Sequence, residues 1–332
     1  MELLVVFFAM ACSFAVALLM TPLIIERMHK RCLTGKDMNK YEKPAVAEMG
    51  GISVMFGLAF GIIVAIFCFT YLKMITLNLT LLLAALLTVL LVGFIGIVDD
   101  LIGWRSGIRQ WQHALFPLFA ALPLMAARAG TSVVNLPLLG IVPFGIYYSL
   151  ILVPIGITGA ANAFNMLAGF NGLEAGLGII SAATLLVIAA STGHFEAAIL
   201  LAALCGALIA FMLYNRFPAK IFGGDSLTLM NGATIASASI IGDMEKIGLM
   251  VVAIFFIELV LKARHFFQAQ SFGIPKKNGT LSADPKLGSL TQVVLFLGKG
   301  KLRENEVTLA ILALQAVVCA AVLLIFFLKI TV

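Results

Sequence analysis

Long apolar segments separated by short polar loops make up most of this 332-residue chain. A helix that crosses a bilayer needs about 20 consecutive, mostly apolar residues, and ten segments approach that length. They cover approximately residues 3–25, 50–71, 78–98, 111–128, 145–163, 176–192, 196–214, 227–242, 247–267 and 305–329. The pattern predicts an all-α polytopic membrane protein with about ten transmembrane helices, in one integral-membrane domain over 1–332.

The composition excludes a water-soluble fold for most of the chain. Hydrophobic residues make up 62% of it and charged residues 11%, whereas a soluble domain carries roughly 25% charged residues. The fifth and eighth segments are the least apolar, since Pro154 and Gly156 interrupt the fifth and the eighth is rich in Ser, Thr and Ala. Such residues suit helices that pack against other helices.

The five cysteines are scattered without a CxxC or Cys/His cluster, so we predict neither a zinc site nor a disulfide framework.

Lys and Arg decide the predicted orientation, because cytoplasmic loops of membrane proteins carry an excess of them. Most of the 22 Lys and Arg residues fall in loops on one side of the predicted bundle. The loops of that side lie approximately at 26–49, 99–110, 164–175, 215–226 and 268–304. We therefore expect these loops to be cytoplasmic and both termini to face outward. The net charge of +6 follows from this asymmetry, and no nucleic-acid partner is expected.

Two adjacent carboxylates, Asp99 and Asp100, end the third predicted span. Ionisable groups near hydrocarbon are costly and indicate a functional site by default. Neighbouring carboxylates repel each other, so keeping both ionised requires a cation, which Arg105, Arg109 or a divalent metal can supply. The alternative is a helix end that meets water.

A dense group of amides and glycines follows the fifth span, in the segment NAFNMLAGFNGLEAG. Asn162 and Asn165 are three residues apart and therefore share one helix face, and an Asn oxygen is a suitable ligand for a hard metal. Asn171 and Glu174 accompany glycines that permit a tight turn. A polar helix–helix contact followed by a turn is the alternative.

A third group, FGGDS, precedes the eighth span. Asp225 is either a metal-binding carboxylate or the N-cap of the following helix. Phe222 is suited to stack on a nucleobase, and a helix N-terminus here favours anions.

Two further loops carry charge: TGKDMNKYEKPAVAEMGG, which contains Glu48, and FGIPKKNGTLSADP, where Lys276 lies in a hairpin-like turn. Ordinary solvated charge explains either loop equally well.

All five groups lie on the same predicted membrane face. Carboxylates, amides and cations that converge there indicate a polyanionic ligand bound with Mg²⁺, which takes a few protein oxygens together with substrate phosphates. This combination is typical of phosphoryl transfer, in which positioning and charge neutralisation supply most of the catalysis.

At these motifs the sequence resembles the polyprenyl-phosphate N-acetylhexosamine-1-phosphate transferase family. VDD, NAFN…GFNGLEAG and FGGDS follow the family order over nearly the whole chain. The resemblance implies a ten-span, all-α enzyme that moves a sugar-1-phosphate from a UDP-sugar to a polyprenyl phosphate, with Mg²⁺ (or Mn²⁺) and release of UMP. NAFNMLAGFNGLEAG is most similar to eukaryotic and archaeal dolichyl-phosphate GlcNAc-1-phosphate transferases. The four His residues are isolated, so the His-rich motif of the bacterial branches is absent, which argues against the MurNAc-pentapeptide and enterobacterial-antigen enzymes.

The resemblance also implies individual roles. The implied metal ligands are Asn165 and Asp225, and the implied catalytic residues are Asp99, Asp100, Arg109 and Lys276. The implied nucleotide-sugar site consists of Glu48, Asn162, Asn171, Glu174 and Phe222. Within it, Asn171 hydrogen-bonds the uracil and Phe222 stacks on it, while Arg109 replaces a Lys that contacts the pyrophosphate. Eukaryotic members carry an Arg/His-rich stretch in the last cytoplasmic loop, and this chain reads SFGIPKKNG there, so only Lys276 stands at a phosphate-binding position.

The family further implies a homodimer surrounded by membrane lipid, in the cell membrane if the source is archaeal. Two chemical routes stay open. In the first, the lipid phosphate attacks the β-phosphorus directly, with Asp99 or Asp100 orienting or deprotonating it. In the second, an aspartyl-phosphate forms first.

Two other classes of protein compete with this interpretation. A secondary transporter or lipid flippase would use the same intramembrane polar residues as an ion path. The clustering of charge at one face, away from the bilayer midplane, argues against it. A catalytically inactive lipid-binding paralogue is disfavoured because every metal and acidic motif position is filled.

Overall fold

The computed structural model describes residues 1–103, 110–136 and 140–328, most of them helical. The helices are α1 (Glu2–Lys30), α2 (Gly51–Thr70), α3 (Leu79–Gly103), α4 (Gln110–Ala120), α5 (Leu122–Ala126), α6 (Val153–Met166), α7 (Leu173–Thr192), α8 (Phe195–Asn215), α9 (Asp225–Ile241), α10 (Glu245–Val251), α11 (Ala253–Ala263), α12 (Leu290–Leu297) and α13 (Glu304–Phe327). A turn of π-helix, Tyr148–Leu152, leads into α6. Short antiparallel strand pairs join β1 (Thr34–Lys36) to β2 (Ala45–Ala47), β3 (Val133–Leu136) to β4 (Gly140–Pro143), and β5 (Ile274–Pro275) to β6 (Leu281–Ser282).

The expectation of a mostly helical membrane protein is confirmed. Within the described part of the chain, seven helices are long and apolar enough to cross a membrane. They are Glu2–Lys30, Gly51–Thr70, Leu79–Ile102, Tyr148–Met166, Leu173–Thr192, Phe195–Asn215 and Glu304–Phe327. Three loops add short strand pairs to this helical architecture, because backbone groups outside the helices pair with one another there. One of these pairs, β5–β6, is the hairpin expected near Lys276.

The other three predicted segments form shorter or interrupted helices. Proline has no N–H with which to continue a helix, and Pro117 and Pro123 flank the break between α4 and α5. The predicted ninth span is divided into α10 and α11. At that break the Gln315 side chain donates a hydrogen bond of 2.9 Å to the Val251 carbonyl, which compensates a backbone acceptor in apolar surroundings.

Helix α8 lies at the centre of the bundle and packs on α1, α2, α7 and α9. Its buried residues are mainly Ala and Leu, and small side chains let neighbouring backbones approach closely. Helix α9 is enclosed in the same way, by α3, α6 and α8. The loop between α8 and α9, which carries the FGGDS motif, therefore begins and ends on closely packed helices.

Gly96 allows the end of α3 to lie against the start of α9. A Cβ atom built at this position would collide with backbone atoms of Ser226 and Asp225. The missing side chain therefore brings the acidic end of α3 into direct contact with the FGGDS motif.

We expect Gly96→Ala to lower the free energy of unfolding by about 1–3 kcal/mol, because overpacking a tight contact displaces the backbone. Gly159→Ala in α6 is the matched control, since a Cβ atom there meets nothing within 4 Å. It should be neutral or slightly stabilising. Thermal unfolding of both variants in one detergent provides the measurement, and equal unfolding temperatures would contradict a tight α3–α9 contact.

Candidate active site

A cavity opens at the end of the bundle where α3 and α6 end and α2, α7 and α9 begin. Five of the sequence-predicted site residues line it: Glu48, Asn165, Glu174, Phe222 and Asp225. These residues come from three separate regions of the chain. We call this space the site cavity.

The carboxylate of Asp100 holds the start of α9. Its Oδ1 accepts a hydrogen bond of 2.7 Å from the backbone N–H of Asp225. Its Oδ2 accepts from the backbone N–H of Ser226 at 3.2 Å and from the Ser226 hydroxyl at 2.9 Å. These N–H groups belong to the first turn of α9 and have no partner within the helix. The negative charge also interacts favourably with the helix dipole.

This contact decides between the sequence alternatives for both acidic motifs. Gly224 is the N-cap of α9 and Asp225 is its first residue, so the N-cap interpretation of Asp225 is wrong. Helix α3 continues to Gly103, and Asp99 is only 6% exposed. The acidic pair is therefore not a helix end that meets water.

Asn165 and Asp225, the implied metal ligands, lie on two helices that face the same cavity. Thr228 connects them, because its hydroxyl oxygen lies 2.9 Å from Asn165 Oδ1, to which it donates, and 3.3 Å from the Asp225 carbonyl oxygen. Asn162 lies one turn earlier on α6, and its Nδ2 donates to the Thr158 carbonyl at 2.9 Å. Asn162 is not among the described residues that line the cavity.

A short run of backbone hydrogen bonds places Glu48 beside Phe222. The Phe222 N–H donates to the Ala47 carbonyl at 2.8 Å, and the Phe222 carbonyl accepts from Gly50 at 2.9 Å. The first loop and the FGGDS segment are thereby joined at the cavity wall. Burial raises the pKa of the Glu48 carboxyl above its ordinary value, and the nearby negative charge of Asp225 raises it further.

The GFNG turn after α6 has the glycine geometry that the sequence predicts. Gly169 and Gly172 have φ angles of +105° and +79°, which disfavour other residues. Glu174 Oε1 accepts a hydrogen bond of 2.6 Å from the Gly169 N–H, which closes the turn beside the cavity.

Asn171, by contrast, is 3% exposed and is not among the described lining residues. Its Oδ1 accepts from the Ala219 N–H at 2.6 Å, and its Nδ2 donates to Asp37 at 3.2 Å and to Glu304 at 2.7 Å. The side chain thus connects the first loop, the α8–α9 loop and the start of α13.

The two implied catalytic cations are not seen at the cavity for different reasons. Arg109 is outside the described residues. Lys276 donates to the Gly300 carbonyl at 3.0 Å and lines a different cavity, together with Phe296 and Lys299. The structure therefore does not bring Lys276 to the site cavity.

Several lining residues were not predicted from the sequence as site residues, among them Lys36, Asp37, Thr228 and Phe272. Lys36 and Asp37 belong to the charged first loop, where the sequence pattern does not separate solvated charge from cavity charge. Phe272 comes from the last loop and lies against Gly169. Its only sequence signal was its place in SFGIPKKNG.

The part of the chain that matches a known protein family contains the same motifs. A family model described as glycosyl transferase family 4 matches residues 82–243, which include the acidic, NAFN and FGGDS motifs. The chain is 33% identical over 319 residues to a protein of Saccharolobus solfataricus, covering 96% of this chain and 95% of that protein. It is 36% identical over 327 residues to a protein of Sulfolobus acidocaldarius, with the same coverage. Both are provisionally named UDP-N-acetylglucosamine–dolichyl-phosphate N-acetylglucosaminephosphotransferase.

A bacterial relative is similar over less of the chain. A phospho-N-acetylmuramoyl-pentapeptide-transferase of Halalkalibacterium halodurans is 29% identical over 260 residues, covering 74% of this chain and 78% of that protein. This chain belongs to glycosyl transferase family 4, and the family resemblance predicted from its motifs is confirmed.

We expect Asp100→Asn to destabilise the protein in the absence of any substrate, by about 1–3 kcal/mol. The amide presents an N–H₂ group to at least one α9 donor, and the charge that favours the helix N-terminus is lost. Asp243→Asn is the control, because Asp243 is an exposed residue in the turn before α10. Chemical unfolding in detergent measures both variants. If Asp100→Asn unfolded like Asp243→Asn, the cap would contribute nothing.

Proposed function

We propose that the protein transfers N-acetylhexosamine-1-phosphate, specifically GlcNAc-1-phosphate, from a UDP-sugar to polyprenyl or dolichyl phosphate. The products are a lipid-diphosphate-sugar and UMP, and the reaction is the first membrane step of glycan assembly. One observation carries the proposal: Glu48, Asn165, Glu174, Phe222 and Asp225, from motifs far apart in the chain, line one cavity. The names and full-length similarity of the archaeal relatives support the choice of substrates.

The charges of the cavity support a requirement for Mg²⁺. Lys36 is the one Lys or Arg among its described lining residues, which also include Asp37, Glu48, Glu174 and Asp225. Without a divalent cation, a nucleotide diphosphate would meet an excess of negative charge here.

The donor set of the cavity fits this ion. The carboxylate of Asp225 and the amide oxygen of Asn165 are hard oxygen ligands, and Mg²⁺ commonly takes one or two protein ligands plus substrate phosphates. In the described residues no group of three or more His, Cys, Asp or Glu side chains is placed to hold a metal. When bound, Mg²⁺ neutralises charge on the diphosphate and on the leaving UMP.

Individual residues of the chain have separate roles in binding the donor and in the attack by the lipid phosphate. Phe222 offers its ring to the uracil, and Lys36 offers an ammonium group to a phosphate. The lipid phosphate attacks the β-phosphorus directly, since a phosphate is already largely ionised at neutral pH and needs no strong base. Asp100 acts by positioning Asp225, because its two oxygens already accept three hydrogen bonds from α9. A role of Asp99 in orienting the attacking phosphate is supported by the family resemblance alone, since Asp99 is not among the described lining residues.

We further propose ten membrane crossings, with both termini outside and the site cavity at the cytoplasmic face of the cell membrane. Three crossings are then needed beyond the seven long helices. They are α9 and the two interrupted pairs, α4–α5 and α10–α11. Two copies of the chain associate as a homodimer. The excess of Lys and Arg in the loops at the cavity end supports this orientation.

The reaction is tested with protein purified in detergent and assayed for UMP release from UDP-GlcNAc and other UDP-sugars. Release should require polyprenyl phosphate, stop with EDTA and return with Mg²⁺. Asp225→Asn and Asn165→Ala should each reduce kcat/KM by about 100-fold or more, because each removes an oxygen that positions charge in the transition state. Asp243→Asn and Asn278→Ala are exposed controls. Metal-independent release, or ion-coupled transport by the same protein in vesicles, would contradict the proposal.

Lys36 provides a separate test of how the donor binds. Lys36→Ala should raise KM for the UDP-sugar by about fivefold, the effect expected for one exposed charge contact, with kcat little changed. Lys43→Ala removes an exposed cation from the same loop outside the cavity wall and should leave KM unchanged. If the two variants changed KM equally, Lys36 would act only as part of the general surface charge and not through a specific contact with the donor.

A further inference from the structure

A buried polar cluster lies beside the site cavity and is organised by one carboxylate, that of Glu304. Glu304 is the first residue of α13 and is 2% exposed. Its Oε1 accepts hydrogen bonds from the Asn171 N–H at 2.8 Å and from Asn171 Nδ2 at 2.7 Å. Its Oε2 accepts from the Lys40 ammonium. Burying a charge requires such compensation, and Asn171 and Lys40 supply it here.

The cluster extends from Glu304 to two walls of the cavity through Asn39. Asn39 is 4% exposed, and its Nδ2 lies 3.4 Å from Glu304 Oε1. The same Nδ2 donates to the Gly169 carbonyl at 2.8 Å, and Asn39 Oδ1 accepts from the Gly273 N–H at 2.9 Å. Gly169 lines the cavity, and Gly273 follows the lining residue Phe272.

A third wall depends on the same carboxylate through Lys40. The Lys40 ammonium bridges Glu304 and Asp37, with 3.0 Å to Asp37 Oδ2. Asp37 is 3% exposed and lines the cavity. Glu304 therefore contacts the first loop and the GFNG turn directly and reaches the last loop through Asn39. Asn39 and Asn171 add direct contacts among the same three segments.

We propose that Glu304 is a positioning residue for the nucleotide-sugar side of the cavity, acting through Asn39, Lys40 and Asn171. The proposal rests on the proposed function for the identity of the ligand. Glu304 does not itself line the cavity, so its effect is on the placement of Gly169, Phe272 and Asp37.

The test compares Glu304→Gln with Glu306→Gln. The first variant keeps the shape of the side chain but turns an N–H₂ group toward the Lys40 ammonium or toward the Asn171 donors, so one set of contacts is lost. The second lies two residues further along the same helix start, where exposed Glu306 accepts from the Arg303 N–H at 2.7 Å as part of the helix cap.

Steady-state kinetics with UDP-GlcNAc and polyprenyl phosphate should show KM for UDP-GlcNAc raised about tenfold by Glu304→Gln, with kcat and the lipid KM within about twofold. Glu306→Gln should leave all three near the wild-type values. Equal loss in both variants, or a loss in kcat alone, would overturn the positioning role, because general destabilisation would explain it.

Hydrogen–deuterium exchange separates this inference from the proposed function. Glu304→Gln should speed exchange of the amides in 168–173 and 271–274, and Glu306→Gln should not. If the wild-type protein released no UMP but this exchange pattern appeared, the proposed reaction would fail while Glu304 kept its structural effect. Unchanged exchange in those segments would overturn the role of Glu304 whatever the reaction.

Discussion

The carboxylate of Asp100, at the end of α3, accepts hydrogen bonds from the first turn of α9, and the placement of the site depends on this contact. Helix α9 begins after two glycines and carries no side-chain cap of its own. A helix start in apolar surroundings leaves N–H groups that need acceptors. Because Asp100 supplies them from another helix, the same contact that stabilises α9 also directs Asp225 into the cavity. Gly96 makes the approach sterically possible.

The cavity that results is rich in carboxylates, and this charge explains its function more directly than its shape does. Glu48 and Asp225 are close enough for the charge of one to disfavour ionisation of the other. In the proposed function a polyanionic substrate enters this space together with a divalent cation, which the oxygen donors of Asn165 and Asp225 are suited to bind. Buried positioning groups surround the cavity: Asp100 fixes one wall, and the cluster around Glu304 fixes three others. The energy of substrate binding is therefore used to position the substrate and to neutralise its charge, as phosphoryl transfer requires.

Much of the helical architecture follows from apolar length alone, but the interruptions do not. Nothing in the hydropathy of 247–267 shows the break that Gln315 compensates from a distant helix. Asn165 and Asp225 were predicted as site residues because their oxygen atoms suit a hard metal, and both line the cavity. The site was not predictable where chemistry depends on contacts between distant segments. Asn171 and Glu304 are 133 residues apart, and Glu304 resembles any acidic residue at the start of a helix. Lys276 and Lys36 are both loop lysines, and only the fold shows that Lys36 is the one at the cavity.

In the proposed function, Asp225 and Asn165 hold one divalent ion together with a nucleotide diphosphate. A structure of the protein with Mn²⁺ and UDP-GlcNAc, in which anomalous scattering locates the metal, tests it most directly. We expect one anomalous peak in the site cavity, within coordination distance of the Asp225 carboxylate, Asn165 Oδ1 and the diphosphate oxygens. A metal bound without either side chain, or at the opposite end of the bundle, would contradict it.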